Sequence, residues 1–144
     1  SVNVAHNLAS LYFRAFDEKF VEEIKSYAVN YFRKILSNLG WEPKKSDKHT
    51  DALLRTFTIA VLGKMNDDSV TDEAIRKYKK FLKSPNSLSP DLIETICSIA
   101  AWNGNSKTFA ELKKLYTNSK TMEQKLRFLG AMQALSSHTN LTKQ

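Results

Sequence analysis

Cys97 stands alone in a chain of 144 residues. A lone thiol excludes an internal disulfide and a thiolate zinc cluster, each of which needs more than one cysteine. It fits a reducing compartment, so a cytoplasmic location is expected. Its neighbours Ile96, Ile99 and Ala100 point to a buried, inert thiol rather than a nucleophile. Glycine and proline are also scarce, at four and three. That is too little turn chemistry for a many-stranded sheet, which needs a turn every ~8–12 residues. No apolar run approaches the ~18–20 residues of a membrane span, and the first residues lack a basic-then-apolar leader pattern. The chain opens on Ser1 rather than Met and is expected to be a piece of a longer polypeptide.

The chemistry of catalysis is thin as well. The histidines are His6, His49 and His138, and none has another His, Cys or acid at a recognisable ligand spacing. There is no H-E-x-x-H helix, no G-x-x-x-x-G-K-[ST] or G-x-G-x-x-G phosphate loop and no G-x-S-x-G nucleophile elbow. The expectation for this chain by itself is no catalytic residue, no metal site, no cofactor and no enzyme activity.

What is present is an ordinary soluble composition, 42% hydrophobic and 26% charged, with 22 basic against 15 acidic side chains, a net charge of +7 and a pI near 9.5. The excess suits an acidic partner: nucleic acid, an acidic protein face or peptide carboxylates. Basic residues come in short groups, Lys44-Lys45 and Arg76-Lys77 with Lys79-Lys80. They are spread over the chain rather than gathered on one face, which disfavours nucleic acid.

Almost every segment has a helical period. Val4, Ala5, Leu8, Leu11, Tyr12, Ala15 and Phe16 make the first stripe. Asp17 caps a second helix with Phe20, Ile24, Tyr27, Ala28, Tyr31, Ile35 and Leu39 on one face, ended by Gly40, Trp41 and Pro43. After a polar connector, a helix from Ser46 or Asp47 to Lys64 is apolar around most of its circumference, through Leu53, Leu54, Phe57, Ile59, Val61 and Leu62. Met65-Asn66-Asp67-Asp68 reads as a turn. Thr71 is then expected as an N-cap, with Val70 and Ile75 as a hydrophobic staple. Leu88-Ser89-Pro90-Asp91 starts the next helix, Asn105 or Ser106 a short one, and Thr121 with Gln124 the last, whose stripe is Met122, Leu126, Leu129, Met132 and Leu135. The tail from Ser136 is polar and is expected to fray. The aromatics Tyr12, Phe13, Phe16, Phe20, Tyr27, Tyr31 and Phe32 read as core between the first two helices rather than as stacking platforms for bases.

Helix starts near 71, 89, 105 and 121 imply hairpins of roughly 34 residues, in the range of tetratricopeptide, HEAT and armadillo units. The expected fold is therefore all-α: one helical-repeat domain over residues 1–144, built of antiparallel helical hairpins in an irregular right-handed α-α superhelix. An irregular bundle is the alternative. Arg55 is the single charge between Ala52 and Gly63. A lone guanidinium there must find a partner or face water, because burying it unpaired is too costly. Glu94 and Asp91 are the partners the sequence suggests.

Leu39-Gly40-Trp41-Glu42-Pro43-Lys44, Asp51-Ala52-Leu53-Leu54-Arg55, Leu62-Gly63-Lys64, Leu88-Ser89-Pro90-Asp91-Leu92 and Arg127-Phe128-Leu129-Gly130-Ala131 are helix-building words one by one. In this order and spacing they resemble the C-terminal helical domain of the zinc aminopeptidases related to puromycin-sensitive aminopeptidase and the archaeal tricorn-interacting factors. The β domain, the zinc-binding domain and the small β-sandwich of that family are not in this chain. The resemblance implies a non-catalytic part of a cytosolic enzyme that trims oligopeptides from the N-terminus, with zinc in the separate catalytic domain. It implies a bowl over the active site that gates access and helps bind peptide. Its partners would be the catalytic domain of the same polypeptide and peptide substrates. Arg55, with Lys125 and Arg127 as companions, is then a candidate for gripping peptide carboxylates. A free-standing helical scaffold for protein binding is the alternative, and a basic nucleic-acid module the more distant one.

Overall fold

A computed structural model describes residues 2–14 and 18–142, with the side chains of residues 3–10 and 20–136. The described residues form α1 (Val2–Arg14), α2 (Glu18–Leu39), α3 (His49–Lys64), α4 (Asp68–Lys83), a 3-10 turn at Pro85–Ser87, α5 (Pro90–Trp102), α6 (Ser106–Asn118) and α7 (Met122–Thr142), and no strand. The all-α expectation holds. Asp17 and the side chains of Leu11, Tyr12, Phe13, Ala15 and Phe16 lie outside the described residues. The chain divides into two compact units, residues 1–70 and 71–144.

In the first unit α2 packs against α1 and α3. Its buried line is Ala28, Phe32 and Leu36, spaced by four. The expected stripe is therefore rotated: Phe20 and Tyr27 are 56% and 65% exposed, while Ile24, Tyr31, Ile35 and Leu39 are half-buried. Small Ala28 lets a neighbouring helix approach, and Phe32 fills the space beyond it. Phe32 meets Tyr31 edge-on at 5.6 Å and Phe57 at 6.2 Å, and Phe57 lies 6.1 Å from the His6 ring. Leu53 is exposed on α3, whereas Thr58, Ile59, Val61 and Leu62 are buried.

The turn before α4 differs from its expected form. The helix begins at Asp68, not after Thr71, because Asp67 is the cap: its carboxylate accepts from the Val70 amide at 3.0 Å. The other oxygen of Asp67 accepts from Arg33 Nε at 2.6 Å, which ties α2 to this turn. Asn66 reverses the chain at φ 56°, a region asparagine tolerates better than most residues. The Asp67 side chain is fully buried. Asp67→Ala is expected to cost about 2 kcal/mol, since it removes a helix cap and a buried acceptor together. Urea unfolding at neutral pH checks this, and an Asp67→Asn variant should recover the cap but not the pair.

In the second unit α7 packs on α5 and α6. Ser89 precedes Pro90 at the first position of α5, as the sequence reads. Asn105 caps α6 by accepting from the Lys107 amide at 3.0 Å. Thr121 Oγ1 accepts from the Gln124 amide at 3.2 Å, and Gln124 reaches back to the Lys120 amide at 3.1 Å. The backbone of α7 is helical to Thr142, past the expected end at Ser136.

The expected apolar stripe of α7 is also rotated. Met122, Leu126 and Leu129 are 69%, 58% and 40% exposed, and the buried side chains are Phe128 and Ala131. Ala131 has no exposed surface, and the Glu94 side chain from α5 lies over Gly130, where an added Cβ would sit 2.6 Å from Oε1. Leu92, Ile96, Cys97, Ala101 and Leu112 belong to this core, with the Phe81 and Phe128 rings tilted against each other 6.4 Å apart.

Candidate functional site

Arg55 gathers several polar contacts in the first unit. It is 1% exposed. The sequence looked to Glu94 or Asp91 for its partner, and the carboxylate that takes the role is Asp47, 2.6 Å from Nη2. Nε donates to the Gly40 carbonyl at 2.9 Å and Nη2 to the Leu39 carbonyl at 3.2 Å. A helix leaves its last carbonyls without intrahelical partners and its C-terminus negative. The last turn of α2 has no basic residue of its own. Two cations from elsewhere supply it: Arg55, and Lys44, whose Nζ donates to the Asn38 carbonyl at 3.1 Å. Gly40 makes this possible at φ 73°, with its amide returning to Leu36 at 2.7 Å. In that region a side chain would be strained.

Asp47 is spent here and does not start α3. It accepts from the Lys44 amide at 2.8 Å as well as from Arg55, and these two contacts, in that order, hold its carboxyl below the usual range. The helix begins at His49, where Asp51 accepts from the Lys48 amide at 2.8 Å.

Lys125 and Arg127 lie in the second unit, apart from Arg55 in the division of the chain. Lys125 Nζ sits 5.8 Å from the centroid of the Tyr116 ring, a cation–π distance. Arg127 Nη2 pairs with Glu123 one turn earlier at 2.7 Å, and Glu123 is largely exposed. Such a pair is weak in water, and one oxygen leaves other guanidinium donors available. Arg127 borders a cleft of about 460 Å³ whose walls include Phe81, Leu88, Ile93, Leu115 and Phe128. Asn86, Asn118, Ser119 and Gln124 also line it, and a mixed cleft with a cation at its rim suits a chain that presents both apolar side chains and a carboxylate.

The His6 ring lies 6.1 Å from that of Phe57, tilted by 30°, and His49 opens α3. Among the described residues no three His, Cys, Asp or Glu side chains gather within reach of one metal ion. Burial pushes the Cys97 thiol up to about 12, which leaves it unreactive near neutrality. No helix of the described residues is long and apolar enough to cross a membrane.

A family model described as the ERAP1-like C-terminal domain matches residues 2–143. The chain belongs to that family. Within the ERAP1-like C-terminal domain family, its relatives include Aminopeptidase M1 of Arabidopsis thaliana, 26% identical over 121 residues, which are 81% of this chain and 14% of the relative. Aminopeptidase M1-D of Oryza sativa subsp. japonica is 30% identical over 114 residues, 76% of this chain and 13% of that protein. Aminopeptidase 2 of Candida albicans is 26% identical over 111 residues, 76% of this chain and 12% of that protein. The chain thus spans about a seventh of the length of such relatives. The words that carried the resemblance now have a physical meaning in this ERAP1-like domain. Gly40 and Arg55 are two halves of one helix cap, and in the last segment Phe128 and Ala131 are the buried side chains while the Glu94 side chain lies over Gly130.

Sequence reasoning missed the role of Asp47, because the groups Arg55 chiefly serves are backbone carbonyls, which leave no letter in a sequence. The one available signal was the Asp–Arg spacing of eight across a connector that must reverse direction.

Proposed function

We propose that this chain serves as a non-catalytic, peptide-contacting part of the C-terminal helical domain of a larger aminopeptidase. The observation that carries the proposal is the ERAP1-like match over residues 2–143, with aminopeptidases as relatives. In this reading residues 1–144 act as one domain beside a catalytic domain of the same polypeptide, which holds the zinc. The parent trims oligopeptides from the N-terminus in the cytoplasm, and this domain gates access and helps hold the peptide. Arg127, at the rim of the cleft, and Lys125, two residues earlier on α7 against the Tyr116 ring, are taken as the peptide contacts. Arg55 is assigned to the frame, because its buried guanidinium already serves Asp47, Leu39 and Gly40.

The test uses the full-length parent carrying Lys125→Gln and Arg127→Gln. The Michaelis constant for oligopeptides should rise roughly threefold to tenfold, with turnover of a short chromogenic aminoacyl substrate unchanged, the signature of lost uniform binding. Equal kinetics for both substrates would remove these two residues from the site. Absence of any aminopeptidase activity in the parent would remove the proposal itself.

A further inference from the structure

The net charge of the chain is not evenly shared. Residues 71–144 hold twelve basic and six acidic side chains, against ten and nine in residues 1–70. Part of this excess is concentrated in a second cleft, of about 400 Å³, bordered by α4, the end of α5 and the start of α6. Ile75, Leu82 and Ala100 give it an apolar floor, and Lys79, Lys83 and Lys107 stand around it. All three lysines are exposed, and among the described residues no ion pair joins any of them to a carboxylate. The nearby acids are committed elsewhere. Glu73 binds Arg76 through both oxygens, at 2.6 and 2.8 Å, and lies 3.8 Å from Lys77. Glu111, the one acid lining the cleft, accepts from the Tyr78 hydroxyl at 3.0 Å.

We propose that this cleft binds the acidic side chains of an extended peptide. Lys79 and Lys83 are four apart on one helix, which sets their Cβ atoms about 5–6 Å apart on one face. An extended strand rises about 3.3 Å per residue, so side chains two apart point the same way about 6.6 Å from each other. An acid-x-acid pattern therefore matches the lysine pair, and Lys107 takes a third carboxylate across the cleft. Lysine ammoniums on long stems act as mobile point charges, suited to flexible carboxylates. The cleft has no arginine fork for a phosphate and no exposed ring for a base, since Tyr78 is buried with its hydroxyl engaged. The attraction does not come from the start of α6, because Asn105 already accepts from the Lys107 amide.

The inference rests on the peptide-contacting reading above, and the two fail separately. The kinetic test of that reading varies Lys125 and Arg127 in the parent, whereas this one varies other lysines and measures binding to the 144-residue chain itself. The probe is a blocked peptide, acetylated and amidated, with three glutamates alternating with glutamines. Its all-glutamine counterpart with a free C-terminus is the companion probe. Amide chemical shifts should move at positions 79, 83 and 107 with the blocked acidic peptide. Lys79→Gln with Lys83→Gln should weaken binding about tenfold, and Lys113→Gln with Lys114→Gln, an equal loss of charge on α6 outside the cleft lining, by less than about twofold. Lys107→Gln provides an independent variant if the double change unfolds the chain. Equal losses in the two double variants, shifts spread over all lysines, or binding by the free-C-terminus neutral peptide alone would each overturn the assignment.

Discussion

Arg55→Met is expected to destabilise the chain by about 3 kcal/mol, because it takes the donor from two backbone carbonyls and a carboxylate in one step. Methionine keeps much of the stem, so the loss reports polar contacts rather than packing. Asp47 retains the Lys44 amide, which holds the cost to the lower end of the range for breaking a buried pair. For a unit of this size the midpoint of thermal unfolding should fall by more than about 10 °C. Residue-resolved amide exchange should place the loss in α2 and α3. An unchanged midpoint would mean that the guanidinium is not the clamp described. The same pair sets an acid limit. The folded-state carboxyl of Asp47 titrates below its ordinary value of 3.8. Its contribution is therefore fully present above that value and is lost as pH falls through the lower, folded one. Stability measured from pH 6 down to about pH 2 should drop below about pH 4. The part of that drop due to Asp47 should vanish in Asp47→Asn, which is less stable at pH 6 but flatter toward acid.

Gly104→Ala is expected to cost about 2–3 kcal/mol, a large effect for one added methyl. The new Cβ would lie 2.5 Å from Thr108 Oγ1, 2.7 Å from Thr108 Cβ and 2.8 Å from the Ala100 carbonyl oxygen. Thr108 is branched at Cβ and cannot swing away freely, and the carbonyl belongs to the last turns of α5. Pairing the change with Thr108→Ala should recover only part of the loss, because the clash with the Ala100 oxygen remains. Cys97, buried and held well above its usual titration range, is a convenient reporter. Its labelling by a thiol reagent should require opening of the second unit and should accelerate in Gly104→Ala. An unaltered labelling rate with an unaltered melting point would show that the α5–α6 corner yields more easily than its contacts imply.

Most helix ends were legible because they are written in side chains. Ser89-Pro90, Asn105 and Thr121 announced α5, α6 and α7 to within a residue. The start of α4 was misplaced because Asp67 and Thr71 are both competent caps, and only the burial of Asp67 beside Arg33 decides between them. Stripe orientation was harder still. Periodicity weighs large apolar residues heavily, so it favoured Met122, Leu126 and Leu129, whereas the packing buries Phe128 and the small Ala131. At the site, the need of Arg55 for a partner followed from its isolation in an apolar helix, but the partner did not. Lys125 and Arg127 were candidates through resemblance alone, and their surroundings, a tyrosine ring and the rim of a cleft, came only with the structure.

The cap at the end of α2 has a consequence for the order of folding. Its bonds join residues only eight, fifteen and sixteen positions apart. Closing such short loops costs little chain entropy, and contacts of low sequence separation favour rapid folding. Arg55 can therefore engage the end of α2 as soon as the two helices first meet, before most of the apolar surface is buried. A guanidinium in this place sets the register of a hairpin early, and the hydrophobic side chains then pack onto a corner that is already drawn.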